Sequence, residues 1–120
     1  MRKIWKVWFT FDENNKITGC FQQEINALRK SKHKKIKCLT IPTDIPFVPS
    51  NVAIEREPKD TIYWVIYQFK GDNKIIRGIY KDMERALTYC CKNKWYVPYG
   101  MKLSTDFYDK DTLLEGKNGK

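Results

Sequence analysis

Two segments of the chain carry an apolar side chain at every second position: Trp5, Val7, Phe9, Phe11 and Tyr63, Val65, Tyr67, Phe69. A period of two is that of a half-buried strand, so these side chains are expected to face a core. A polar stretch follows each, Asp12 to Asn15 and Lys70 to Asn73, built from residues that tolerate the positive φ of hairpin turns. The chain should therefore return antiparallel along Lys16 to Phe21 and Lys74 to Tyr80. Gly19 and Gly78 interrupt these return strands, where glycine marks a bulge or a close backbone approach.

The period then changes. Met83, Ala86, Leu87 and Cys90 recur at i, i+3, i+4 and i+7, with Asp82 placed to cap the first turn, which predicts an amphipathic helix. Its counterpart, about Gln22 to Lys32, offers Ile25, Ala27 and Leu28 as apolar positions. Arg29, Lys30 and Lys32 crowd its last turn, where the helix dipole favours cations. A third strand closes each segment, at Lys35 to Ile41 and Lys94 to Met101.

The two segments match when the sequence is slid on itself by 58 residues, pairing Trp5 with Tyr63, Val7 with Val65 and Asn15-Lys16-Ile17 with Asn73-Lys74-Ile75. After one inserted residue near Arg77, Gly19 pairs with Gly78, Phe21 with Tyr80 and Ala27-Leu28 with Ala86-Leu87. The expected fold is thus α+β, a tandem pseudo-repeat of a ββαβ unit with antiparallel sheets and one helix per repeat. The repeats span about 4–41 and 62–103 of one compact domain, 1–120, and a proline-rich connector, 42–61, joins them. A unit of about forty residues buries too little surface to fold alone, so each copy is expected to complete the other's core. The stretch around the connector holds four of the five prolines, which predicts an extended path with at most a short edge strand at Asn51 to Glu55. The tail, 115–120, is expected to fray.

Net charge is +9, from 23 Lys and Arg against 14 Asp and Glu, which points to anionic partners. Lysine supplies most of the excess, and with many Ile and Asn this reads as the codon bias of an A+T-rich genome. Small size and composition suit an accessory protein of a phage or mobile element. The longest apolar runs are far short of the roughly 18 residues needed to cross a bilayer, so no membrane association is expected. The opening MRKIWKVWFTF lacks a small-residue cleavage site, and a cytoplasmic location, that of a host cell for a phage-encoded chain, is the expectation.

The densest charge cluster is RKSKHKKIK, Arg29 to Lys37, with six Lys or Arg in nine residues; no acid lies between Glu24 and Asp44. Arg29, Lys30, Lys32, His33, Lys34, Lys35 and Lys37 are the candidate phosphate-contacting residues, since cations on a helix end and turn release counterions with little sequence preference. The bland reading is a solvated helix terminus. Trp8 and Trp64 fall on the faces of the first strands opposite the expected core, where aromatics beside lysines stack on unpaired bases or anchor protein interfaces. A covered second sheet face would equally account for them.

Nothing in the chain assembles a catalytic group. The sole histidine, His33, sits among lysines, the carboxylates are scattered, and no phosphate-loop or dinucleotide pattern occurs. Four cysteines without a C-x-x-C pair predict reduced thiols rather than zinc ligands or a disulfide framework. The expectation is a non-enzymatic protein without cofactor or metal. Its partner is nucleic acid or a nucleotide. The alternative is an inhibitor of a host defence or nucleic-acid-processing enzyme, docking on an acidic groove of that protein. A homodimer through an uncovered tryptophan face is a further possibility.

Overall fold

The computed structural model describes residues 3–31, 35–45 and 61–107. Among these residues seven strands and two helices follow one another as β1 (Lys3–Phe11), β2 (Ile17–Phe21), α1 (Glu24–Ser31), β3 (Ile36–Thr43), β4 (Tyr63–Lys70), β5 (Asn73–Tyr80), α2 (Met83–Cys91), β6 (Tyr96–Met101) and β7 (Ser104–Thr105). All seven strands join one mixed, curled sheet in the order β6-β4-β5-β3-β1-β2-β7.

This architecture corrects the expected tandem of ββαβ units on antiparallel sheets. The molecule is mostly β, and its one sheet is mixed: β3 runs parallel to β5 through Thr43 and Ile79, and β7 runs parallel to β2 through Ser104 and Thr105. The duplicated pattern does not define two self-contained units, because a single core draws on the whole chain. Val7, Phe9, Cys20 and Ile41 share a buried cluster with Tyr63, Val65, Tyr67 and Ile79, and with Leu103 and Phe107 from beyond the last helix. The sheet curls far enough for Phe107, next to the β7 edge, to meet Tyr63 of β4 edge-on, ring centroids 5.7 Å apart. Curling is how a sheet of short twisted strands encloses an apolar face.

Strand alternation settles which side is enclosed. Trp5, Val7, Phe9, Phe11, Tyr63, Val65, Tyr67 and Phe69 all line this inner cluster, as their period of two requires. Both helices lie on the outer face, α1 against β1, β2 and β3, and α2 against β4, β5 and β6. There Ile66, Tyr80 and Ala86 form a second buried cluster, while Thr10, Phe21 and Ala27 are fully buried near α1. The glycine interruptions are bulges. Ile66 opposes Gly78 and Tyr67 opposes Ile76, leaving Arg77 as the extra residue, and Thr18 is the extra residue beside Gly19.

The helices sit differently from their apolar pattern. In α2 only Ala86 is buried, Tyr89 and Cys90 are half-buried, and Met83 and Leu87 are 48% and 44% exposed. In α1 the buried stripe is Asn26, Ala27 and Ser31, with Ile25 and Leu28 facing out. Small side chains let each helix approach the strands closely, and the cores are already filled by aromatic rings from the sheet. β3 runs through Pro42 and Thr43 into the first residues of the expected connector; the rest of it, 46–60, with the expected edge strand at Asn51 to Glu55, and the tail 115–120 lie outside the described residues.

Candidate nucleic-acid interface

Strand direction determines where the charges go. Because β3 and β5 run parallel, and each is antiparallel to the hairpin strand beside it, the β1–β2 turn, the β4–β5 turn, the ends of both helices and the starts of β3 and β6 all lie at one end of the sheet. Lys16, Lys35, Lys37, Lys70, Lys74, Lys92 and Lys94 converge on that end from both halves of the chain, and all are exposed. Arg29 and Lys30 join them from the last turn of α1. The carboxylates there are Asp12, Glu13 and Asp72, whereas Glu24, Asp44, Asp82, Glu84 and Asp106 lie at the opposite end, by the helix N-termini. Cations at helix C-termini and acids at N-termini both suit the dipole, so local electrostatics and global polarity agree.

The turns at the basic end are held by their own hydrogen bonds. Asp12 accepts from the backbone N–H of Asn14 at 2.8 Å and of Lys16 at 2.9 Å, which occupies one of the few carboxylates in the region. Asn15 takes the left-handed conformation, φ 64°, and its side-chain oxygen accepts from Lys35 Nζ, tying the β1–β2 turn to the start of β3. On the other side Asn93 Nδ2 donates to Tyr89 O at 2.7 Å, closing the end of α2. No carboxylate among the described residues forms an ion pair with Arg29, Lys35 or Lys37.

Of the residues expected from sequence to bind, Arg29, Lys30, Lys35 and Lys37 are brought together at this end. Lys32, His33 and Lys34 lie outside the described residues. Trp8 and Trp64 go elsewhere: both are half-buried on the outer face. Trp64 sits near the start of β4, at the opposite end, packed on the α2 cluster, and its ring covers Gly100, where a Cβ would approach it to 2.8 Å. Packing on the α2 cluster accounts for Trp64, while Trp8 lies on β1 between Phe21 of β2 and Cys38 of β3.

The sequence does not mark Lys70, Lys74, Lys92 and Lys94 as part of a site, because their spacing along the chain is ordinary and the parallel β3–β5 junction unites them with Arg29, Lys30, Lys35 and Lys37. The same holds for Trp95, which is 66% exposed at the turn between α2 and β6. The nearby inner face carries an aromatic group in which Tyr99 meets Tyr67 and Phe69, centroids 5.4 and 6.3 Å apart, and Lys74 Nζ lies 4.7 Å above the Tyr67 ring.

Elsewhere, an open cleft of about 510 Å³ beside α2 has Tyr80 and Tyr89 as its floor, but its rim mixes Arg85 and Lys92 with Asp82 and Glu84, and Arg85 lies 3.7 Å from Asp82. That balance gives an anion no preference for it. All four cysteines are free thiols; Cys20 is buried and Cys90 half-buried, and burial pushes both above the usual thiol range, away from the reactive thiolate. Among the described residues no group of His, Cys, Asp and Glu forms a metal site, and no helix is long and apolar enough to cross a membrane. Comparisons with protein-family models, with curated proteins and with solved structures find no match for this chain.

Proposed function

We propose that the chain is a non-catalytic protein that binds nucleic acid through its phosphates, across the basic end of the sheet. The observation that carries this reading is the convergence of exposed lysines from both halves at one end, with most described carboxylates at the other. A molecule whose excess positive charge is gathered at one end presents that end to a polyanion, which orients encounter as well as strengthening it. Point lysines on turns neutralise phosphates without reading base edges, so the expected binding is weakly dependent on sequence and strongly dependent on salt.

The test is an affinity series against salt with a labelled oligonucleotide. Log affinity should fall linearly with log salt, with a slope of about −3 or steeper for four or more neutralised phosphates. Affinity that stays flat from low to physiological salt would overturn the reading. A second reading, docking on an acidic protein, draws on the outward-facing Ile25, Leu28, Met83 and Leu87. Exchanging Leu28 and Leu87 for Ser should leave oligonucleotide binding untouched, and loss of that binding would move the interface to the helices.

A further inference from the structure

We infer that Trp95 is a stacking platform for an unpaired nucleobase, which makes single-stranded nucleic acid, rather than duplex, the form that the basic end prefers. The inference rests on the nucleic-acid reading above and adds to it the form of the ligand. Among the described residues Trp95 is the most exposed of the large apolar side chains, at 66%, and belongs to neither buried cluster, so the core does not require an indole there.

Its backbone makes the residue choice odder. Trp95 has φ 68°, in the left-handed region that a bulky side chain rarely occupies. At the same end of the sheet the chain meets the same demand with residues suited to it, Asn15 at φ 64° and Gly71 at φ 59°. The turn would therefore be better served by Asn or Gly, and something other than the turn accounts for the indole. Strain of this kind, held in place by surrounding structure, is a recognised mark of functional positions. Here the holding contact is the Trp95 carbonyl, which accepts from Phe69 N–H at 3.2 Å and fixes the residue against the β4–β5 hairpin.

The surroundings select the ligand. Lys92 and Lys94 precede Trp95 in the chain, and Lys70 and Lys74 flank the neighbouring hairpin turn, all four exposed. A single strand can place phosphates on these ammonium groups while turning one base onto the indole face; a duplex keeps its bases stacked on each other and offers the indole nothing. Base–aromatic stacking tolerates any base, in keeping with lysines that read no sequence.

The experiment measures affinity, at one salt concentration and then across a salt series, for a labelled single strand of about 16 nucleotides and for the blunt duplex of the same sequence. The unaltered protein should prefer the single strand. Trp95→Ala should weaken single-strand binding by about ten- to a hundredfold, leave duplex binding and the salt slope unchanged, and Trp95→Phe should recover most of the loss. Trp95→Gly suits the backbone, so it should melt no lower than the unaltered protein and still lose the single-strand preference, which separates stacking from folding. Equal affinity for the two forms, or full single-strand affinity in Trp95→Ala, overturns the inference while leaving phosphate binding standing. Absence of binding to either form overturns both.

Discussion

The side-chain amide of Asn26 donates a 2.8 Å hydrogen bond to the carboxylate of Asp106, which lies 80 residues further along the chain. The same carboxylate accepts the backbone N–H groups of Gln22 at 2.8 Å and Gln23 at 3.1 Å, so it organises the whole entry to α1. Asp44 does the corresponding work at α2, accepting from the N–H groups of Lys81 at 2.8 Å and Asp82 at 2.9 Å, while Asp82 caps the helix through Glu84 N–H at 3.2 Å. Each carboxylate follows the strand that runs parallel to the one leading into the helix it holds: Asp106 follows β7 beside β2, and Asp44 follows β3 beside β5.

Asp106 is fully buried and Asp44 only partly, and their removal should differ accordingly. Asp106→Ala strands two backbone donors and an amide in a water-poor site and should cost about 3 kcal/mol. Asp44→Ala lets water reach the freed donors and should cost about 1 kcal/mol. Urea unfolding of the two variants checks the order, and equal losses would show that burial does not govern the effect.

Burial raises the Asp106 carboxyl above the ordinary carboxylate range, partly offset by the hydrogen bonds from Asn26, Gln22 and Gln23. A raised acid holds its proton in the folded chain at pH values where the unfolded chain has released it. Stability from this group is therefore greatest below the ordinary aspartate value and declines as pH rises through the raised one. Other carboxylates add their own dependence, so the readout is the difference between the unaltered protein and Asp106→Asn. Unfolding free energies measured from about pH 3 to pH 7 should show the unaltered protein losing ground relative to the Asn variant. A difference that grows in the other direction would mean that the hydrogen bonds outweigh desolvation.

What could be read from sequence followed local periodicity. The inner-face alternation, both hairpins, both helices and the bulge beside Gly78 each rest on a few neighbouring residues, and each is present. The division into two antiparallel units failed because pairing partners distant in sequence leave no local trace. Nothing in Thr43 or Thr105 announces that they run parallel to β5 and β2. The candidate site divides in the same way. Arg29 to Lys37 is a visible charge run, whereas the union of its Arg29, Lys30, Lys35 and Lys37 with Lys70, Lys74 and Trp95 depends on that parallel junction. The outward tilt of Met83 and Leu87 was hidden for a related reason: their spacing fits a buried stripe, and only the filled core excludes them.

Glycine positions give a sharper test of packing. A Cβ at Gly19 would lie 2.7 Å from the Phe21 ring and 2.9 Å from Thr10 Oγ1, and both neighbours are fully buried with nowhere to move. Gly19→Ala should therefore cost about 2 kcal/mol or more. Gly71 has open space around it but φ 59°, so Gly71→Ala should cost only about 1 kcal/mol of backbone strain. Thermal melts of the two variants should rank in that order, and a Gly19 variant as stable as the Gly71 one would place the Phe21 ring elsewhere.

The polarity of the sheet makes the last prediction. Lys35→Glu with Lys37→Glu and Lys74→Glu reverses charge at the basic end, on exposed side chains that no described carboxylate engages as an ion pair. Each lost phosphate contact should reduce the salt slope by about 0.7 to 0.9, so the triple variant should bind an oligonucleotide far more weakly and with a slope shallower by about 2. Lys81→Glu with Arg85→Glu reverses two charges, against three in the triple variant, at the other end of the strands. They should leave the slope nearly as it was, since charges beyond a Debye length of about 10 Å contribute little at moderate salt. If the two sets weaken binding equally per charge reversed, overall charge and not its gathering at one end is what the ligand feels.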